Sequence, residues 1–389
     1  MKNFIPRQIA PLIKAQQSKF PVLAITGPRQ SGKTTMLKEL FHDYRYISLE
    51  DPNTRAFATE DPIAFLNQYD NKVILDEVQL VPELFAYIQS RVDESHIMGQ
   101  YILSGSQNFH LLNNITQTLA GRVALFKLLP FDFEELKSNN MLGESATAVA
   151  LKGFYPAIYD RDIDPIVFYS NYIQTYIEKD VTELMNIRDL KVFRTFLGLC
   201  AGRAGQLLNV SALANECDIS SSTAKAWLSI LESSYIIFLL QPYHQNFNKR
   251  LVKSPKLYFY DTGLLNFLMG NKTAVDLEEN RLKGNIFENM IMAEYQKKNQ
   301  HQYLHEDYYF WQDSNANEVD LLIKKGQGFS IFEIKATQTV ASGLFKQMDR
   351  FENLAAPAKV EKTLIYGGSQ NEKRTHYNVI SWRNLSDPI

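Results

Sequence analysis

The sequence has little cysteine, no long apolar run and almost no net charge. Its two cysteines, Cys200 and Cys217, are too few for a disulfide framework or a metal cluster, which favours a reducing compartment. No apolar run approaches the ~18 residues that a membrane-spanning helix needs, and the first residues lack a secretory pattern. These absences predict a cytoplasmic protein with no membrane partner.

An excess of charge of one sign is also missing, because 41 Lys and Arg residues nearly balance 43 Asp and Glu residues. A net charge of −2 argues against wholesale electrostatic wrapping of nucleic acid, although it leaves local basic faces open. The hydrophobic fraction of 45% is ordinary for a globular protein, and 389 residues are enough for about two to four domains.

Residues 22–40 contain the most informative motif of the chain. An apolar run of strand length is followed by the loop GPRQSGKT, which fits G-x-x-x-x-G-K-[ST], and then by a segment of helical character. In this motif, glycines let backbone N–H groups point at phosphate oxygens, the lysine binds the β- and γ-phosphates, and the hydroxyl binds Mg²⁺. The predicted nucleotide-binding residues are Gly27, Pro28, Arg29, Gln30, Ser31, Gly32, Lys33, Thr34 and Thr35. Strand, loop and helix follow in the required order, which disfavours a chance match.

Two carboxylates end the next buried strand, at 72–77. We predict that Asp76 holds Mg²⁺ together with Thr34, and that Glu77 polarises the attacking water, with Lys33 as the catalytic cation. A further strand at 100–103 is followed by the polar sequence SGSQ. Ser106 is the predicted sensor of the γ-phosphate, with Ser104 and Gln107 as competitors, and an ordinary strand-ending turn is an open alternative.

The order GPRQSGKTT, VILDEVQ, YILSGSQ, LAGRVALFKLLPF and GFYPA resembles bacterial and archaeal P-loop ATPases of the extended AAA+ group. It is most similar to those whose C-terminal half is a separate domain of unknown function. The resemblance covers nearly the whole chain and implies an α/β fold, in which a parallel-sheet ATPase core with a helical lid binds ATP and Mg²⁺.

The same resemblance assigns three more residues. It implies that Arg122 reaches the nucleotide of a neighbouring subunit, which would require a homo-oligomer, whereas a surface arginine at a helix end is the alternative. It also implies that Gly153 and Pro156 contact the base from the lid, although a Gly- and Pro-containing turn is equally common in other roles.

Residues 210–260 predict two short helices, a turn and a β-hairpin, which together make a winged helix-turn-helix. We expect Ser211 to cap the first helix and Ser221 or Ser222 to cap the second. The residues predicted to face nucleic acid are Ser221, Ser222, Thr223 and Lys225 on the second helix and Lys249, Arg250, Lys253 and Lys256 on the wing. The second helix carries a single cation, and winged helices also bind proteins, so both kinds of partner stay open.

The C-terminal part resembles the restriction-endonuclease-like fold. Asp320 lies on one strand, Glu333 and Lys335 lie on the next in the order Glu-x-Lys, and Glu288 lies on a preceding helix. The resemblance implies that Glu288, Asp320 and Glu333 hold one or two Mg²⁺ or Mn²⁺ ions while Lys335 orients the attacking water. Val319 stands where that family usually has proline. A plain hairpin with a solvated Glu–Lys pair, or a degenerate core that only binds DNA or protein, is the alternative.

The predicted domains are an ATPase core (1–137), a helical lid (138–200), a winged helix (201–270) and a nuclease-like α/β domain (271–389). The leading functional hypothesis is an ATP-hydrolysing enzyme that acts on nucleic acid, preferably DNA. The alternative is a nucleotide-gated switch whose C-terminal half binds a protein and cleaves nothing. A small-molecule kinase is disfavoured, because it leaves the C-terminal half without a role.

Overall fold

The first part of the chain forms a parallel sheet. The computed structural model describes residues 4–106, 115, 117–177, 190–244 and 252–385. Within these ranges the strands of the first sheet are β1 (Val22–Thr26), β2 (Arg45–Ser48), β3 (Val73–Asp76), β4 (Tyr101–Ser104) and β5 (Val123–Lys127). They are parallel in the order β2-β3-β4-β1-β5. Since parallel strands end at one edge, the loop after β1 lies beside the ends of β3 and β4.

Helices cover both faces of this sheet. They are α1 (Ala10–Gln16), α2 (Lys33–Leu40), α3 (Pro52–Glu60), α4 (Pro62–Gln68) and α5 (Leu84–Ser95). The Asp- and Pro-rich stretch at 50–62 contains the starts of α3 and α4. Asp51 and Asp61 each cap a helix, accepting hydrogen bonds from Thr54 N (2.8 Å) and Ala64 N (2.9 Å). Each Asp-Pro pair is therefore a helix start, because proline fits the first helical turn.

The next segment contains short helices that pack against the sheet domain. They are α6 (Phe133–Ser138), α7 (Ala146–Lys152), α8 (Pro156–Asp160), α9 (Pro165–Tyr172) and α10 (Leu190–Ala201). Helix α9 continues as a π-helical turn, Ile173–Ile177. Residues 178–189 of the predicted lid (138–200) lie outside the described residues.

A helix-turn-helix and a β-hairpin follow, as the sequence predicts. The elements are β6 (Gln206–Leu207), α11 (Val210–Glu216), α12 (Ser221–Ser233), β7 (Ile237–Pro242) and β8 (Lys256–Phe259). The cap predictions are wrong, because Asn209 and Ser220 cap the two helices by accepting from Ala212 N and Thr223 N. Strands β7 and β8 are antiparallel.

One predicted contact of the hairpin is also wrong. Lys256 is 3% exposed and its ammonium is bonded to carboxylates within the protein, so it is not available to a phosphate backbone. Lys249 and Arg250 lie outside the described residues, whereas Lys253 is described and exposed.

The C-terminal part continues the hairpin into a second sheet. Its elements are α13 (Thr262–Leu268), α14 (Ala274–Glu279), α15 (Lys283–His301), β9 (Tyr308–Gln312), β10 (Glu318–Lys325), β11 (Gly328–Lys335), α16 (Lys346–Ala355), β12 (Val360–Tyr366), β13 (Glu372–Lys373) and β14 (Asn378–Ser381). In the described ranges the strand order is β13-β14-β12-β11-β10-β9-β7-β8-β6. Strands β9, β10 and β11 are antiparallel, and β12 is parallel to β11. The stretch at 271–280 contains α14, which begins at a Thr273–Asp276 capping box.

The join between the two parts is a parallel pairing of β7 with β9. Because of it, the hairpin strands and the C-terminal strands share one sheet, and a single hydrophobic cluster runs from Leu129 to Trp382. No helix in the described ranges is both long enough and apolar enough to cross a bilayer.

Candidate functional site

The predicted nucleotide-binding residues line a cavity of about 780 Å³ at the carboxyl edge of the first sheet. The predicted residues that face it are Arg29, Gln30, Gly32, Lys33, Thr34, Thr35, Glu77, Ser106 and Pro156. Phe4, Ile5 and Phe131 add an apolar wall that was not predicted. The cavity therefore combines a polar loop for phosphates with an apolar slot, the composition expected of a nucleotide site.

The loop itself has the backbone geometry that its glycines require. Gly27 has φ +147°, and a Cβ there would lie 2.0 Å from the carbonyl oxygen of Leu128. Gly32 has φ +93° and immediately precedes α2, so the N-terminus of that helix points into the cavity. Pro28 and the buried Ser31 complete the loop, and the Lys33 ammonium donates to the carbonyls of Gly27 and Pro28, both at 2.9 Å.

Asp76 is held by three hydroxyl groups. It accepts hydrogen bonds from Thr34 Oγ1 (2.8 Å), from Tyr46 OH (2.6 Å) and from Ser104 Oγ. Thr34 and Asp76 thus present adjacent oxygen donors beside the phosphate loop, and this hard-oxygen pair fits Mg²⁺. Sequence reasoning missed Tyr46, because nothing in the β2 sequence reveals which strand lies next to it.

Glu77 is positioned by its neighbours and by its backbone. Its φ of +54° turns the chain directly after β3, and its Oε2 accepts from Ser106 N (3.3 Å), Ser106 Oγ (3.1 Å) and Gln79 Nε2. Of the competitors to Ser106, Ser104 contacts Asp76 instead, and Gln107 lies outside the described residues. Ser106 therefore donates hydrogen bonds to Glu77, the carboxylate that we predict to polarise the attacking water.

We expect Ser106→Ala to lower the turnover number for ATP by roughly ten-fold, with KM for ATP changed by less than about two-fold. The substitution removes one hydrogen bond to a charged carboxylate, while the Ser106 N–H remains. The turnover number is measured from steady-state phosphate release at saturating ATP. Ser90→Ala, on the exposed side of α5, is the matched control, and an equal fall in both variants would exclude a role for Ser106 in positioning Glu77.

The π-helical turn after α9 reaches the tip of the phosphate loop. Gln30 Nε2 donates to Tyr176 OH at 2.8 Å, and the Arg29 guanidinium lies 5.4 Å from the centre of the Tyr176 ring. A π-turn shifts the side chains that follow it around the helix, and such turns often occur at functional sites. Tyr176, within the predicted lid, thereby contacts Arg29 and Gln30, two of the four residues between Gly27 and Gly32 of the motif.

The structure separates the two residues predicted to contact the base. Pro156 lines the cavity, and its Cγ lies 3.6 Å from where a Cβ on Gly32 would be. Gly153 is not among the cavity-lining residues, and its assignment as a nucleotide contact is corrected. A Cβ at Gly153 would lie 1.9 Å from Tyr169 OH and 2.7 Å from Asp261 Oδ1, so close packing explains this glycine.

Arg122 lies at the opposite edge of the sheet from its own phosphate loop, just before β5 begins. Its guanidinium is paired with Asp93 through two contacts of 2.5 and 2.7 Å, and it also donates to the carbonyl of Ala120. It therefore has no contact with the cavity of its own chain, and a role at a neighbour's site stays a prediction.

The four predicted C-terminal residues come together at the start of β10 and the end of β11. Lys335 Nζ lies 2.6 Å from Glu333 Oε1 and 3.2 Å from Asp320 Oδ2, which also accepts from Ile334 N at 2.8 Å. Oxygens of Glu288, Glu318 and Asp320 lie within 4.8 Å of one another. Glu318, Lys256 and Tyr258 are members of this cluster that sequence reasoning missed.

The cluster fits a divalent cation. Among the described residues, Glu333 Oε2 is buried and has no hydrogen-bond partner, which is costly for a carboxylate oxygen. Burial, with Asp320 beside it, raises the pKa of Glu333 to about 8, and burial raises the pKa of Glu288 to about 7. Asp320 and Glu333 would hold Mg²⁺ or Mn²⁺ there, and the ion would supply charge stabilisation for a phosphate under attack.

A buried polar network connects the ATPase core with α15. Arg7 donates to Ser31 O (2.7 Å) in the phosphate loop, to Leu129 O (2.6 Å) and to Glu135 Oε1 (2.9 Å). On the C-terminal side, His301 of α15 pairs with Asp132 at 2.7 Å. Helix α15 carries Glu288 nearer its other end, so one helix belongs to the C-terminal cluster and to the polar network behind the phosphate loop. No sequence motif marks Arg7, which lies upstream of the first strand, as part of this network.

Comparison with family models decides the identity of the first part. Residues 19–137 match a model described as "AAA domain". This segment is an AAA-type P-loop ATPase domain. The match supports ATP binding, with Mg²⁺, and ATP hydrolysis at this general level. Residues 143–275 and 283–385 match two models, each described as a domain of unknown function, DUF8612 and DUF4143.

Curated relatives extend the similarity over most of the chain. An uncharacterized protein of Mycobacterium tuberculosis is 28% identical over 337 residues, which are 86% of this chain and 74% of that protein. An uncharacterized protein of Haemophilus influenzae is 23% identical over 316 residues, which are 73% of this chain and 77% of that protein.

Solved structures show only distant likeness. The Walker-type ATPase paby2304 of Pyrococcus abyssi is 15% identical, with a TM-score of 0.42 over 67% of this chain and 94% of that one. The ORC2 protein of Aeropyrum pernix in its ADP form is 13% identical, with a TM-score of 0.32 over 61% and 90%. Similarities at this level carry no argument about ligands or partners.

Proposed function

We propose that this AAA-type ATPase uses ATP to act on nucleic acid and that its C-terminal domain is a metal-dependent nuclease. The observation that carries the proposal is the buried group formed by Asp320, Glu333 and Lys335, with Glu333 Oε2 unpartnered among the described residues. A buried carboxylate oxygen without a partner is costly, so the presence of Glu333 Oε2 calls for a ligand. Two carboxylates and a lysine at adjoining strand ends supply a metal site and a cation for the attacked phosphate.

The arrangement of elements supports the nuclease-like interpretation. Helix α15 is followed by three antiparallel strands, then by α16 and by β12, which is parallel to β11. The helix-turn-helix and hairpin between the two sites support a winged helix. We infer that this module contacts nucleic acid or a protein through Lys225 and Lys253.

A contact between the residue pair that leads into the hairpin and the strand that leads into the phosphate loop supports coupling of the two activities. Tyr235, which precedes β7, has its OH 2.9 Å from Thr26 Oγ1, and Thr26 is the residue before Gly27. Through this contact and the Arg7 network, rearrangement of the loop around ATP would reach the C-terminal half. Arg122 would complete the site of a neighbouring subunit, which makes the active form a homo-oligomer. A reducing, cytoplasmic location agrees with Cys200 and Cys217 both being free and buried.

The test is cleavage of nucleic acid in Mn²⁺ or Mg²⁺, using duplex, single-stranded and branched DNA and RNA. We expect Asp320→Asn to reduce cleavage roughly 100-fold or more, since loss of an outer metal-site partner alone costs 10–100-fold. We expect cleavage by Lys33→Ala no longer to depend on ATP. The residues around Asp320 should keep their arrangement in this variant. Gel analysis of end-labelled substrates measures both effects.

The control is Asp307→Asn, which changes an exposed carboxylate near β9 and should cleave like the parent. Cleavage that survives Asp320→Asn undiminished would remove this site from the proposal.

One observation favours a second function, a nucleotide-gated switch that binds a protein. Lys256 and Lys335 already provide two ammonium groups among the four carboxylates of the C-terminal cluster. A carboxylate cluster whose charge is neutralised by lysines in this way can be retained in a protein that cleaves nothing. On this hypothesis no nucleic acid is cleaved, the ATPase rate is indifferent to nucleic acid, and capture of a protein partner depends on ATP.

A further inference from the structure

The hairpin contributes a buried lysine to the carboxylate cluster of the C-terminal domain. Lys256, on β8, places its Nζ 3.1 Å from Glu288 Oε1 and also in contact with Glu318 Oε1. The Lys256 side chain is 3% exposed. It therefore occupies a position between carboxylates that come from α15 and β10, two elements of a different segment of the chain.

The two lysines of the cluster differ in their freedom to leave it. The Lys335 side chain is 37% exposed, so its ammonium can turn toward solvent when a metal ion binds to Asp320 and Glu333. The Lys256 ammonium cannot turn toward solvent in this way, because the aliphatic part of its side chain is buried and the ammonium lies 5.6 Å from the centre of the Phe310 ring. Moving it would leave an ammonium unpaired inside the protein, which is strongly unfavourable.

The oxygens on the Lys256 side are also occupied. Glu288 Oε1 accepts from Tyr258 OH at 2.5 Å in addition to Lys256, and Glu318 Oε2 accepts from Gln312 Nε2 at 2.6 Å. On the other side, Glu333 Oε2 is a buried oxygen with no hydrogen-bond partner among the described residues. Glu288 Oε1 and both Glu318 oxygens thus accept from protein groups, whereas Glu333 Oε2 offers an open ligand atom.

We propose that Lys256 occupies the second cation position of the C-terminal site, so that this site binds one divalent ion, at Asp320 and Glu333, and excludes another at Glu288 and Glu318. The inference rests on the proposed metal site and reverses the role predicted for Glu288, which becomes a partner of lysine rather than a metal ligand. Two-metal sites hold their ions about 3.5–4 Å apart, and a fixed ammonium at the second position repels the second ion.

The test is the stoichiometry of Mn²⁺ binding to the full chain without nucleotide, measured from the electron paramagnetic resonance signal of free Mn²⁺. All proteins carry Asp76→Asn, which removes the carboxylate of the phosphate-loop site. We expect one Mn²⁺ per chain in this parent and two in Lys256→Met, in which the freed Glu288 and Glu318 can bind the second ion. We also expect Lys256→Met to unfold at a lower temperature without metal and to be stabilised by Mn²⁺ more than the parent is.

Two further variants make the test specific. Lys256→Met with Glu288→Gln should return to one ion, because a ligand of the second site is gone. Lys362→Met removes another buried lysine, which pairs with Asp349 and Glu352 away from the cluster, and it should bind one ion like the parent.

The outcomes separate this inference from the proposed nuclease site. Two ions in the parent, or a folded Lys256→Met protein that gains none, would overturn the role of Lys256. No ion in the parent together with one in Lys256→Met would support that role and refute metal binding at Asp320 and Glu333. If Lys256→Met does not fold, the number of Mn²⁺ ions bound to the parent is the test. One ion per chain supports the inference, and two ions overturn it.

Discussion

Glu77→Gln is expected to reduce ATP hydrolysis by roughly 10²–10⁴-fold while ATP still binds, because a positioned general base contributes about that factor. Glutamine keeps the size of the side chain and can still hydrogen-bond to Ser106, but it cannot polarise water as a carboxylate does. The left-handed backbone at residue 77 and the contacts from Ser106 and Gln79 fix the carboxylate at the cavity. Single-turnover hydrolysis and titration with a fluorescent ATP analogue measure the two quantities.

Two comparisons decide what the Glu77 result means. Glu83→Gln changes an exposed glutamate at the start of α5 and should hydrolyse ATP at the parent rate. Lys33→Ala should lose ATP binding as well as hydrolysis, because it removes the cation of the phosphate loop. Hydrolysis by Glu77→Gln at the parent rate would show that another group activates water.

Arg7→Met is expected to destabilise the protein by about 3–5 kcal/mol, the usual cost of removing one partner of a buried ion pair. The Arg7 side chain is 3% exposed and that of Glu135 is 0% exposed. Glu135 would stay buried without its cation, with backbone donors from Gln8 N (2.8 Å) and Asp132 N (3.1 Å) and with His301 Nδ1 3.8 Å from its Oε1. The free energy of unfolding in urea measures the loss.

The control for Arg7→Met is Lys72→Met, which breaks an ion pair with Asp43 whose side chains are both 52% exposed. We expect a change of about 0–1 kcal/mol, since solvent screens exposed pairs. Equal losses in the two variants would contradict the assignment of Arg7 as a buried link. Because Arg7 also donates to Ser31 O, Arg7→Met should weaken ATP binding, whereas Lys72→Met should not.

Local sequence was sufficient for the nucleotide site because the residues of its central motif lie within one turn and one helix. Gly27 to Thr34 is a single loop whose geometry depends on its own glycines and on α2. The carboxylates of β3 could be added from sequence as well, because parallel strands end at one edge of a sheet. Local patterns also predicted the helix-turn-helix, although each cap is one or two residues earlier than expected.

Predictions that depended on exposure or on neighbouring elements were less reliable. The sequence around Lys256 favours a solvated wing, and burial follows only from the pairing of β7 with β9, which brings β8 next to α15. Gly153 resembled a ligand-binding glycine, whereas the packing of Tyr169 and Asp261 explains it. Neither packing arrangement has a signal in the local sequence.

The sequence alone determined that the chain contains a phosphate loop followed by two carboxylates after a later strand, and where the candidate metal ligands lie along the strands. The tertiary structure decided which groups surround them: Tyr46 on Asp76, Arg7 behind the loop and Lys256 between Glu288 and Glu318. The physical reason is that period and spacing specify the face of a helix or strand, whereas the opposing residue depends on strand order and register. That opposing residue determines whether a charged side chain is exposed, is paired with another side chain or binds a metal ion.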